Sequence, residues 1–188
     1  MLEEMQQVGR DLFLQQAISS HGGNLSIRQG DRIFITRRGA MIHNLKERDI
    51  IETGLNEPDS GILLASTELR VHREIYRKTT ALAVLHAHPI HAVALSLRRN
   101  EIRPVDSEGL HLLSRVPVLE AEETIGSDQV MEKVSLGLQE YRIVMLRGHG
   151  SFAAGRMLEE AYQLTSALEV SARLINILNS TGGEPGEI

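Results

Sequence analysis

His86 and His88 stand two apart in the run His86-Ala87-His88-Pro89-Ile90-His91, and His149 lies far along the chain in Arg147-Gly148-His149-Gly150. The pair closes an apolar run, Ala81-Leu82-Ala83-Val84-Leu85, of the kind that forms a buried strand. Residues two apart on a strand point to the same face, so both imidazoles can aim at one point. His149 sits between two glycines, where the backbone can bend to bring in a third. Three histidines with one coordination position left open make a catalytic divalent-metal site, with Zn²⁺ the first candidate. A carboxylate is the natural partner for such a site. Glu68, in Ser66-Thr67-Glu68, is one candidate, although capping hydroxyls and a first-turn acid are also what an ordinary helix start contains.

The segments that must position these residues are legible in part. Leu2, Met5, Val8, Leu12, Phe13 and Ala17 recur at helical spacing, and Ser19 to Gly23 ends that helix. Asn24 to Arg28 alternates as a strand, Gln29-Gly30-Asp31 turns, and Arg32 to Thr36 returns as a hairpin. Asn56 to Gly61 is a second turn. Ser66 or Thr67 is expected to cap a helix reaching Lys78. The His86/His88 strand follows, and Pro89 suits the start of a helix over Ile90 to Leu97. Val116 to Leu119 is a short strand whose proline suggests a sheet edge. A helix from Ser127 or Asp128 to Glu140 leads to a strand at Ile143 to Leu146, directly before His149. Ser151 to Ala154 is a return strand, and a long helix covers Leu158 to Leu178. The sum is an α/β single domain over residues 1–179, a mixed central β-sheet covered by helices, with a disordered tail over 180–188.

Composition narrows the class. A chain of 188 residues with 41% hydrophobic content suits one domain with a sizeable core. No apolar run is long enough to span a membrane, and the polar, acidic N-terminus does not read as a signal peptide. There are no cysteines, which excludes thiolate ligands and is compatible with a cytoplasmic protein. A net charge of −5 without a dense basic run, and only 3% aromatic residues, argue against nucleic acid as a partner.

With these residues in view, the chain resembles the class II aldolase/adducin family, and within it the fuculose-phosphate aldolases. Gly23-Asn24-Leu25-Ser26, Ile35-Thr36 with Gly39, Ser66-Thr67-Glu68, His86-Ala87-His88-Pro89-Ile90-His91 and Gly148-His149-Gly150 match in order, across nearly the whole chain. The resemblance implies Zn²⁺, or another divalent metal, on His86, His88 and His149. It implies cleavage of a ketose 1-phosphate to dihydroxyacetone phosphate and an aldehyde, in a homotetramer with active sites between neighbours. Breaking a carbon–carbon bond beside a carbonyl leaves an enediolate, whose charge a Lewis acid stabilises. Class I aldolases use a lysine instead, and Lys46, Lys78 and Lys133 all lie outside the motifs.

Glu68 matches the family's catalytic acid/base, and Gly23, Asn24, Gly39, Ser66 and Thr67 match its phosphate pocket. Two departures stand out. Arg38 replaces the threonine before the glycine and could bind phosphate in a bidentate manner. Glu108, in Pro104-Val105-Asp106-Ser107-Glu108-Gly109, falls near the position of a tyrosine that a neighbouring subunit supplies as general acid. Rival readings on the same scaffold are a methylthioribulose-1-phosphate dehydratase, a pentulose-5-phosphate 4-epimerase, whose members generally carry Asp where Glu68 stands, and a non-catalytic adducin-like module. His91 is expected on the following helix, outside the ligand set. His72, one helical turn after Glu68, is expected as a support behind the site, and His21, His43 and His111 as surface or loop residues.

Overall fold

The computed structural model describes residues 1–57 and 59–182. The chain runs through α1 (Leu2–Leu14), β1 (Asn24–Gln29), β2 (Arg32–Thr36), β3 (Ile50–Gly54), α2 (Leu69–Lys78), β4 (Ala83–Ala87) and α3 (Ile90–Ser96). It continues through β5 (Glu101–Ile102), α4 (Ser107–Leu113), β6 (Val116–Leu119), α5 (Asp128–Glu140), β7 (Ile143–Leu146), β8 (Gly150–Gly155) and α6 (Leu158–Thr181). The strands form one mixed sheet in the order β3-β2-β1-β4-β8-β7-β6-β5. Every pair is antiparallel except β6 with β7.

β4 lies in the middle of this sheet and is buried on both faces, which is why its sequence is apolar without alternation. Ala83, Leu85 and Ala87 face the core built with α1, α3, α4 and α6, while Val84 faces the core built with α2 and α5. β7 divides the same way, with Ile143 and Met145 on one face and Val144 and Leu146 on the other. The pleat therefore assigns His86 to the α2 side, opposite Asn24 on β1 and Phe152 on β8.

The hairpin of β1 and β2 closes over Gly30 and Asp31 as expected, with Gln29 opposite Arg32. Other boundaries differ from the expectation. The cap of α2 is Glu68, not Ser66 or Thr67: Ser66 Oγ accepts the Glu68 N–H, and the helix begins at Leu69. β6 is not the edge strand: β5 pairs along it, Glu101 opposite Pro117 and Ile102 opposite Val116. That pairing covers two residues, short enough to tolerate a proline that has no N–H to donate. β3, α4 and short 3₁₀ turns at 42–44, 47–49 and 60–63 are additions to the sequence reading. α6 runs on to Thr181 and ends at Gly182 in the left-handed conformation, with φ +71°. The tail expected from residue 180 lies, over 183–188, outside the described residues. Among the described residues no helix is long and apolar enough to cross a membrane.

Candidate active site and metal centre

The strand pairing brings the three histidines together. The ring nitrogens of His86, His88 and His149 that face one another all lie within 4.8 Å, and the ring centroids are 4.7 to 5.0 Å apart. His86 comes from the end of β4, His88 from just beyond it, and His149 from the turn between β7 and β8, the strand that pairs with β4. Glycine is required beside them. A Cβ on Gly150 would stand 2.3 Å from the Ala87 carbonyl oxygen, 2.6 Å from His88 Cδ2 and 3.0 Å from His86 Cε1. Any larger residue there would push the strand away from the cluster.

The chemistry of this donor set fits a divalent cation. His86 Nδ1 donates to the Ser151 carbonyl at 2.9 Å, which fixes the tautomer and leaves the Nε2 lone pair facing the cluster. His88 Nε2 lies only 2.9 Å from that atom. Burial holds all three imidazoles below their ordinary pKa: His86 well below, with His88 and His149 adding to the effect, and His88 down to about 4. For His149 burial dominates over a smaller opposing influence of the Thr124 backbone. His149 Nδ1 is buried and makes no side-chain hydrogen bond of regular geometry. Neutral imidazoles with converging lone pairs are what a metal ion needs.

Glu68 stands against this cluster. Its Oε2 is 3.3 Å from His86 Nε2 and accepts from Asn24 Nδ2 at 3.0 Å, while Oε1 is buried without a partner. The residue is 2% exposed, and burial raises its pKa to about 7 against the opposing Asn24 bond. A carboxyl that changes protonation near neutrality can act as a base and as an acid.

One cavity joins these groups to the residues expected to hold phosphate. His86, His88, His149 and Glu68 form one end, and Gly23, Asn24, Arg38, Gly39, Ser66 and Thr67 line the remainder. Gly23 has φ +77°, and a Cβ there would fall 2.7 Å from the His86 carbonyl oxygen. Arg38, Gly39 and Thr67 are exposed at the mouth, whereas Ser66 is buried beneath it. The cavity also takes in His21, which the sequence reading placed at the surface or in a loop, and Ile125, which it did not mark out. Glu108 is not brought to it; the residue is exposed on α4, which packs on α6. His91 pairs with Glu169 on α6 at 2.6 Å and stays out of the cluster, as expected.

The profile of the Class II Aldolase and Adducin N-terminal domain matches residues 3–175. The chain belongs to the class II aldolase/adducin family. It is 30% identical over 174 residues to L-fuculose phosphate aldolase of Methanocaldococcus jannaschii, which covers 90% of this chain and 93% of that protein. A methylthioribulose-1-phosphate dehydratase of Acidiphilium cryptum is 31% identical over 180 residues, covering 88% and 85%. The crystal structure of L-fuculose-1-phosphate aldolase from Thermus thermophilus superposes with a TM-score of 0.90 at 40% identity, over 98% of this chain and 97% of that one. The protein is thus a class II aldolase, a carbon–carbon lyase on a mixed α/β sheet. Class II aldolases depend on a divalent metal, and the histidine triad is a cluster able to hold one.

Proposed function

We propose that this class II aldolase cleaves a ketose 1-phosphate, fuculose 1-phosphate or a close analogue, to dihydroxyacetone phosphate and a short aldehyde. The observation that carries the reading is the meeting of His86, His88 and His149 with the Glu68 carboxylate in one cavity whose mouth carries Arg38. His86, His88 and His149 would hold the metal, for which Zn²⁺ suits three imidazoles. Bound there, it would supply Lewis-acid stabilisation of the negative charge that develops beside the carbonyl carbon.

The chain's own residues account for the proton. Asn24 holds Oε2 of Glu68, the oxygen that faces His86 Nε2, and Oε1 is left without a hydrogen-bond partner. In the condensation direction Glu68 takes the proton from the hydroxymethyl carbon of dihydroxyacetone phosphate. In cleavage it returns the proton to that carbon. The backbone at Gly23, Asn24 and Gly39, the hydroxyls of Ser66 and Thr67, and the Arg38 guanidinium form the anion-binding end. To act as general acid, Glu108 would have to reach the cavity of a neighbouring subunit, as in a homotetramer whose sites lie between protomers.

The dehydratase relative supports a second reading. There the same carboxylate would abstract a proton beside a carbonyl, but the next bond to break would be carbon–oxygen, with loss of water. A product assay separates the two. The metal-loaded protein is incubated with L-fuculose 1-phosphate, other ketose 1-phosphates and methylthioribulose 1-phosphate, and dihydroxyacetone phosphate release is coupled to a reductase. Release from a ketose 1-phosphate supports the aldolase. Turnover of methylthioribulose 1-phosphate alone, without that product, would replace it with the dehydratase.

A further inference from the structure

Behind Glu68 lies a second polar cluster with no access to solvent. His72, Ser26 and Tyr76 are at most 1% exposed. Ser26 Oγ is 2.6 Å from His72 Nδ1 and 2.7 Å from the Tyr76 hydroxyl. Burying three polar side chains between a helix and a sheet costs stability unless each bond is made, and an apolar trio would pack there without that demand. Their spacing gives the reason for them. Glu68, His72 and Tyr76 are four apart, so they form one stripe of α2 and its cap. Asn24 and Ser26 are two apart, so they share one face of β1. Four helical residues rise about 6 Å and two strand residues about 6.8 Å, so stripe and face advance nearly in step. Glu68 meets Asn24 on one rung, and His72 meets Ser26 on the next.

We propose that His72 is a positioning residue: the Tyr76–Ser26–His72 chain locks α2 against β1 and so holds the Glu68 carboxylate at the His86 imidazole. The Ser26 and Tyr76 hydroxyls can each donate or accept, the role of His72 Nδ1 follows its tautomer, and His72 Nε2 is buried without a partner, so Ser26 Oγ is the group that joins the other two. Burial keeps the His72 ring neutral, its pKa lowered to about 3, so the chain does not change with pH near neutrality. The ring also meets Phe152 edge-on at 6.4 Å, and Phe152 stacks on His86 at 4.1 Å. One imidazole thereby supports the carboxylate through the helix and the metal-facing ring through a phenyl group. The polar ladder fixes register as well as distance: a slip of α2 by one residue would break both rungs, where an apolar contact would tolerate it.

The inference rests on Glu68 being the proton-transfer group. The experiment compares His72→Leu, His72→Asn, Ser26→Ala and, as control, Glu68→Gln, all metal-loaded and assayed with L-fuculose 1-phosphate. Metal content, thermal melting and deuterium exchange into dihydroxyacetone phosphate are measured beside kcat and KM. Leucine fills the space without a hydrogen bond, and the asparagine amide can still reach Ser26 Oγ. For His72→Leu with metal retained, kcat and the exchange rate should fall roughly 10- to 100-fold with KM little changed, the usual cost of a misplaced group, and His72→Asn should recover most of that loss. A His72→Leu enzyme with parental kcat, or an asparagine variant no better than leucine, overturns the proposal. If His72→Leu fails to fold or to hold metal, Ser26→Ala decides: a fall in kcat supports the ladder, and parental kcat overturns it. A fully active Glu68→Gln enzyme would show instead that the reading of Glu68 has failed.

Discussion

The cavity has a floor and a rim, and they are built differently. At the floor, His86 and Glu68 are at most 2% exposed, each is bonded to a neighbouring strand, and the strand pairing sets the register that brings them together. At the rim, Arg38, Gly39 and Thr67 are exposed on turns, and the Arg38 backbone is held by the Leu64 carbonyl at 2.9 Å. The difference separates two tasks. Groups that move protons or hold a metal need placement within fractions of an ångström, which strands and buried bonds provide. Groups that select a substrate sit on loops, which change at small cost to the fold. The departures from the family pattern follow this division: Arg38 is at the rim and Glu108 lies outside the floor altogether, while the floor residues match throughout.

Breaking the floor should have the largest effect. His86→Ala, His88→Ala or His149→Ala should each abolish turnover and lower bound metal from about one ion per chain to near zero, read by elemental analysis. Full metal content in all three variants would exclude the triad. Glu68→Gln should come next. It keeps the shape and the Asn24 contact but cannot accept a proton, so kcat should fall roughly 10²- to 10⁴-fold with metal still bound. The loss should appear in kcat more than KM, since the proton moves only in the transition state.

The rim should respond less, and in a different constant. Arg38→Ala removes one charge from the mouth and should raise KM for a phosphorylated substrate with kcat nearly unchanged. A hydrogen bond to a charged group contributes about 1.5–3 kcal/mol, so kcat/KM should drop roughly 10- to 100-fold. An unchanged KM would mean that Arg38 points to solvent and that the backbone and hydroxyl groups bind the anion alone.

How much of this was legible in the sequence follows the same division. The His-x-His pair could be read because residues two apart at a strand end share a face, even though β4 stops at Ala87 and His88 stands just beyond it, and His149 because a strand ends just before it. The cap of α2 could not: Ser66 and Thr67 are the residues with capping chemistry, yet Ser66 Oγ is taken by the Glu68 N–H and Glu68 stands at the cap without a side-chain cap bond, its carboxylate held instead by Asn24. β3 was missed because Ile50-Ile51-Glu52-Thr53 is short and pairs only with β2. The contacts of Ser26 with His72 and Tyr76 were not read, because each residue looks ordinary within its own element. The signal that would have found them is joint: polar residues two apart on a strand, set against polar residues four apart on a helix.

The smallest effect concerns stability, and its sign depends on which buried groups outnumber which. In the metal-free protein His72, His86, His88 and His149 all have pKa values below the ordinary 6.5, while Glu68 is raised from 4.5 to about 7. A histidine with a depressed pKa takes its proton first in the unfolded chain, so its contribution to stability is present above pH 6.5 and is lost as the pH falls toward the folded value. A glutamate with a raised pKa does the reverse, favouring the folded state increasingly as the pH falls from about 7 to 4.5. Each group contributes up to about 1.36 kcal/mol per pH unit inside its window. Several histidines oppose one carboxylate, so the melting temperature of the metal-free protein should fall between pH 7 and pH 5. Glu68→Gln removes the one opposing group and should make that fall steeper. A melting temperature that rises on acidification in the metal-free parent would mean that the carboxylate outweighs the imidazoles, and that the floor is less completely shielded from water than its packing indicates.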